Sequence, residues 1–142
     1  MRDANGIRRL LIAVAVIVPL AALVARGYAG GWFIIMLGAV YLAVAIYHAV
    51  IHIGIARRVA PLDGAAILKI VAAHAVLLIA FLLQWDVGDG PSWLTISALL
   101  AGGPGASRAE WMRLSLGAGA LYDIALLVPV VLLDVMIKRR HA

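Results

Sequence analysis

Four apolar stretches, each long enough to cross a bilayer, leave this chain one class of fold. A membrane helix needs about 20 apolar residues, and its backbone must satisfy its own hydrogen bonds. The first run, LLIAVAVIVPLAALVA, follows Arg8 and Arg9 and stops at Arg26. The second starts after Gly30-Gly31 and carries no formal charge until Arg57 and Arg58. The third follows Pro61, with Asp63 as a candidate N-cap, and closes at Gln84-Trp85. The fourth passes through Pro129 to Ile137 and ends in Lys138-Arg139-Arg140-His141. The spans expected over the 142 residues are about 8–26, 31–56, 63–85 and 108–138. This is an all-α integral membrane protein, a four-transmembrane-helix bundle forming a single domain.

The first run also has the charged start and apolar centre of a secretory leader. It is read here as a retained first span, with Pro19 as the expected kink.

Composition sharpens that class. Hydrophobic residues make up 65% and charged residues 13% of the chain, well outside the range of soluble domains. Four spans leave no room for a separate catalytic domain, so the chain is not expected to be an enzyme on its own. Cysteine is absent, which excludes disulfides, thiolate metal sites, iron–sulfur clusters and c-type haem attachment. The net charge of +5 does not point to nucleic acid, because the basic residues sit at the ends of apolar runs, where they anchor helices at the membrane surface.

The one long connection lies between the third and fourth runs. Its middle, SWLTISALLAGG, predicts a short interfacial helix over about 92–102 with Ser92 as cap. After a Gly-Gly-Pro-Gly break, Ser107-Arg108-Ala109-Glu110 has the spacing of a capping box, so the fourth helix is expected to start outside the bilayer.

Orientation follows from counting. With the N-terminus inside, Arg2, Arg8, Arg9, Arg57, Arg58, Lys69, Lys138, Arg139 and Arg140 are cytoplasmic, against Arg26, Arg108 and Arg113 outside: nine to three. That is a positive-inside bias. Trp32, Trp85, Trp93 and Trp111 all fall on the other side, as an interfacial belt would. The expected topology has both termini cytoplasmic and the short helix in a periplasmic loop, in a bacterial inner membrane.

Ionisable groups inside a span cost roughly 2.5–3.5 kcal/mol each on insertion scales, so each needs a partner or a role. Five qualify: His48, His52, His74, Asp123 and Asp134. His48 and His52 are four apart on one helix face, with Tyr41 a heptad earlier on the same stripe. His74 lies at the depth of His48 or of His52, according to where its helix enters the membrane. The first alignment lets His48 and His74 ligate a b-type haem axially or hold a quinone; the second makes His52, His74 and Asp134 a two-histidine, one-carboxylate metal set. Asp123 and Asp134, eleven apart, return to one face about 16 Å apart along the axis and form a candidate proton relay. Asp134 is expected to pair with Lys138 or a basic loop residue. Asp123 has no basic neighbour one turn away, and Arg26 is its best internal partner, the alternatives being a second subunit or a protonated carboxyl.

Three functions fit these features. The expected one is an accessory or structural subunit of a larger membrane complex of respiratory or photosynthetic type, surrounded by lipid and by other subunits or copies of itself. The alternatives are an electron-transport subunit with one b-type haem or a quinone at His48 and His74, and a small oligomeric proton-coupled transporter using the buried aspartates. A fourth reading, a membrane hydroxylase or desaturase, is weaker, because those families carry several histidine clusters and this chain has a single HxxxH plus one more histidine.

Overall fold

The computed structural model describes residues 2–58, 64–87, 93–102 and 115–141. The elements are α1 (Arg2–Ala29), α2 (Trp32–Arg58), α3 (Gly64–Leu82), β1 (Trp85–Asp86), β2 (Trp93–Leu94), α4 (Thr95–Ala101) and α5 (Leu116–His141). Of these, α1, α2, α3 and α5 are long and apolar enough to cross a membrane. The proposed caps Asp63 and Ser92, the capping box at 107–110, and Arg108, Trp111 and Arg113 lie outside the described residues.

The bundle is built by alternation. α1 turns into α2 through Gly30 and Gly31, whose φ values of 65° and 101° lie in the left-handed region that glycine enters without steric cost. Gly31 is doubly constrained, since a Cβ there would collide with the Asp86 carboxyl. α2 and α3 each pack against both α1 and α5. One end of the bundle carries both termini; the other carries the glycine turn and the segment after α3. We refer to these as the termini end and the turn end. Pro19 and Pro129 both lie within continuous helices.

At the turn end, β1 and β2 form a two-residue antiparallel clasp, Trp85 opposite Leu94 and Asp86 opposite Trp93. The clasp folds α4 back onto α1. Ser97 braces the start of α4, its hydroxyl donating to the Leu94 carbonyl at 2.7 Å and accepting from the Leu94 amide at 3.1 Å. Trp93 donates its indole N–H to the Ala29 carbonyl at 3.1 Å.

The polarity pattern is the reverse of a soluble bundle. Leu10, Ile17, Leu20, Ile35, Met36, Leu121 and Leu132 face outward, whereas Arg26, His48, His52, His74, Gln84, Asp86, Asp123 and Asp134 are buried. Lipid accepts the apolar exterior, and the interior shelters the groups that lipid would reject. An apolar layer that includes Ala22, Leu77, Phe81, Leu127 and Val130 fills the middle of the bundle. A second apolar cluster, with Leu11, Ile51, Ile55, Ile70 and Ile137, fills the termini end.

The tryptophan belt needs correction. Trp32 is exposed, but Trp85 and Trp93 are buried. Trp85 stacks at a tilt against Phe33, ring centroids 5.2 Å apart, over Gly119, where a Cβ would strike its ring. These two indoles pack the helix ends together and do not face headgroups.

Candidate functional site

The buried polar groups collect into two networks, one on each side of the apolar middle layer. At the turn end the centre is Arg26, whose guanidinium is wholly buried and lies 2.6 Å from the Asp86 carboxylate and 4.0 Å from that of Asp123. It also donates to the Trp85 carbonyl at 3.3 Å and to Thr95 Oγ1 at 3.4 Å, and sits 5.2 Å above the Tyr41 ring. Each aspartate has further donors. Asp86 accepts from the amides of Phe33 at 2.9 Å and Val87 at 2.8 Å. Asp123 accepts from the Tyr41 hydroxyl and the Trp85 amide, both at 2.8 Å. One cation thus serves two anions, and hydrogen bonds supply the remaining compensation.

Arg26 is therefore the partner Asp123 required, as its place in the chain suggested, but its shorter contact is to Asp86. Sequence reasoning missed Asp86 because it follows the third apolar run and reads as a loop residue. No local signal marks it, because its burial depends on the pairing of β1 with β2.

Toward the termini end lies the second network. His48 Nδ1 is 2.9 Å from Asp134 Oδ2, and His52 Nε2 is 3.0 Å from Asp134 Oδ1. The other nitrogen of His48, Nε2, is 2.7 Å from His74 Nδ1. The three rings form a near-equilateral triangle with centroid separations of 4.3, 4.8 and 4.7 Å. All four side chains are buried.

Helix geometry assembles this cluster. The four-residue spacing puts His48 and His52 on one face of α2, and α5 presents Asp134 between them. α3 brings His74 against both rings. The two sequence alignments for His74 merge, because its ring is about as close to His52 as to His48.

The tautomers follow from the carboxylate, which when ionised can only accept. His48 donates from Nδ1 and His52 from Nε2. With His48 neutral, its Nε2 accepts, so His74 donates from Nδ1. The result is a chain in the order His74, His48, Asp134, His52. Its two outer nitrogens, His74 Nε2 and His52 Nδ1, are buried and have no hydrogen-bond partner among the described residues.

No family model, curated protein or solved structure matches this chain. The functional reading therefore rests on the site.

Several expectations change against this geometry. Asp134 pairs with two histidines, while Lys138 is exposed. The metal set His52, His74 and Asp134 is altered by one member: the ligand atoms of His48, His52 and Asp134 lie within 4.8 Å of one another, and His74 joins through His48. Two imidazoles and a carboxylate are a fitting donor set for a divalent transition ion, which would replace the protons shared between Asp134 and the two rings.

Haem does not fit His48 and His74. Iron–nitrogen bonds of about 2 Å on either side of a porphyrin require nitrogens about 4 Å apart with an open slot between the rings. Here the two nitrogens are in direct hydrogen-bond contact at 2.7 Å. As for a quinone, both His48 nitrogens are engaged, which leaves His74 Nε2 as the nitrogen of this pair open to an outside ligand. The predicted relay pair also separates: Asp123 belongs to the arginine network and Asp134 to the histidine chain.

Proposed function

We propose that this is a small proton-coupled membrane protein whose working group is the chain His74, His48, Asp134 and His52. One observation carries the reading: four titratable side chains are hydrogen-bonded in series inside an apolar bundle, and both ends of the series are unpartnered nitrogens. With neutral imidazoles the cluster bears the single negative charge of Asp134. Among the described residues no arginine or lysine is paired with it, and burying an uncompensated charge is costly. Uptake of one proton, or of a cation in its place, removes that charge, and an imidazole has a second nitrogen able to accept it.

The apolar layer of Leu77, Phe81, Leu127 and Val130 separates this chain from the arginine network. A proton held at the histidines therefore needs a rearrangement or a neighbouring protein to go further. This observation supports a second reading, an accessory proton-handling subunit of a respiratory or photosynthetic type of complex, with a partner or a second copy completing the path. We place both termini in the cytoplasm of a bacterium, on the basic-residue count, with α4 near the opposite membrane surface. Single cysteines introduced into this cysteine-free chain, probed with a membrane-impermeant thiol reagent, would test that placement.

The decisive test of the chain is nitrogen NMR of the three histidines in lipid nanodiscs across a pH series. The expected outcome is a coupled titration in which one proton is shared by the cluster, abolished by Asp134→Asn. Three rings that keep fixed neutral tautomers from mildly acid to mildly alkaline pH would overturn it. Isolation with stoichiometric membrane partners would favour the subunit reading over the self-contained one.

A further inference from the structure

The seam between α2 and α5 carries two depressions at different depths. At the termini end is a groove of about 540 Å³ whose lining includes Val50, Gly54 and Ile55 together with the cations Arg57, Arg58 and Lys138. Nearer the centre of the bundle, between the same two helices, a groove of about 270 Å³ is lined by apolar residues only, among them Val40, Val44, Val128 and Leu132. From Val50 back to Val44 is six residues, a rise of about 9 Å. One seam thus has a basic mouth and an apolar channel beneath it.

The three cations are exposed and without acidic partners among the described residues. The aspartates whose side chains the structure describes, Asp86, Asp123 and Asp134, are all consumed in the two buried networks. Gly54 keeps the mouth open, since a Cβ there would meet nothing within 4 Å and a longer side chain would start out into free space.

We propose that this seam binds one anionic phospholipid, with its phosphate among Arg57, Arg58 and Lys138 and an acyl chain along the groove between Val44 and Leu132. Basic pockets between membrane helices hold anionic headgroups, at about 1 kcal/mol per cation near the surface, or about a hundredfold in affinity for three. The apolar groove on the same seam favours a lipid over free phosphate, which has no use for it. A second copy docking on this face by two-fold symmetry would bring two sets of three cations together. The inference requires only that these helices cross a membrane and does not depend on proton handling by the histidines.

The test is native mass spectrometry of the detergent-purified protein, titrated with phosphatidylglycerol or phosphatidylcholine carrying identical acyl chains. The expected result is tighter binding of phosphatidylglycerol, by about a hundredfold, and no displacement by soluble glycerol phosphate. Arg58→Gln should weaken phosphatidylglycerol about fivefold, and Gly54→Leu should abolish its advantage by filling the mouth. Equal binding of the two lipids overturns the proposal, as does displacement by glycerol phosphate, which would make the site a phosphate site, or a dimer in place of the lipid adduct. Should Gly54→Leu not fold, Arg58→Gln combined with Lys138→Gln decides the matter: unchanged phosphatidylglycerol affinity in that variant overturns it too.

Discussion

The two buried networks use similar numbers of side chains to opposite ends. At the turn end, a guanidinium that does not lose its proton is clamped by two carboxylates, and the carboxylates are held in turn by the backbone amides of Phe33, Trp85 and Val87. Toward the termini end, three imidazoles and one carboxylate hold each other almost without backbone help, and an imidazole, unlike a guanidinium, exists with or without its second proton. The first network joins α1, α2, α4, α5 and the segment after α3; the second can change its proton content without changing its members. Buried polarity in a membrane bundle is therefore not one phenomenon: a carboxylate clamped by arginine is fastened, whereas one shared among imidazoles is, on our proposal, free to exchange protons.

Substitutions can break this contrast, and the largest effect is expected at Arg26. Arg26→Met leaves Asp86 and Asp123 buried without their cation and should cost about 3–5 kcal/mol, read as a loss of folded protein in denaturant titration. A stable Arg26→Met protein would mean that the turn end is not the fastening. Next, Gly119→Ala forces the Trp85 ring to shift and should cost about 1–3 kcal/mol; an unchanged unfolding midpoint would show that the clasp has slack. Tyr41→Phe removes one of the donors to Asp123 and should cost about 1 kcal/mol, with the histidine titration untouched. The smallest stability change is expected at the other network. His74→Gln keeps a side chain able to donate to His48 Nε2 and should alter stability by less than about 1 kcal/mol, while removing one of the three histidine resonances from the coupled titration. Were His74→Gln to destabilise the protein as much as Arg26→Met, the division between the two networks would fail.

Much of the fold was legible because bilayer thickness and helix rise act on every residue of a span. The four helices and the inward stripe of Tyr41, His48 and His52 follow from periodicity alone. The link from Arg26 to Asp123 was legible by elimination, since a buried acid needs a cation and few were in reach. What periodicity does not encode is rotation of one helix about its axis relative to another. That rotation puts His48 rather than His74 beside Asp134, and it gives Asp134 two histidines in place of Lys138. Asp86 and the burial of Trp85 and Trp93 were hidden for a different reason. They depend on a chain reversal at the β1–β2 clasp, and nothing local in Gln84-Trp85-Asp86 announces that the chain will fold back onto α1.

The clamp at Arg26 also has a mechanical consequence. With Asp123 held at one end of α5, Asp134 rides on a lever arm of about 16 Å. A tilt of about 5° about that fulcrum moves its carboxylate by about 1.4 Å, enough to break hydrogen bonds of ordinary length. A slight splaying of α5 from α2 would thus disconnect His48 from His52 while the pivot stayed intact, and it would have to draw Ile137 out of the apolar cluster at the termini end.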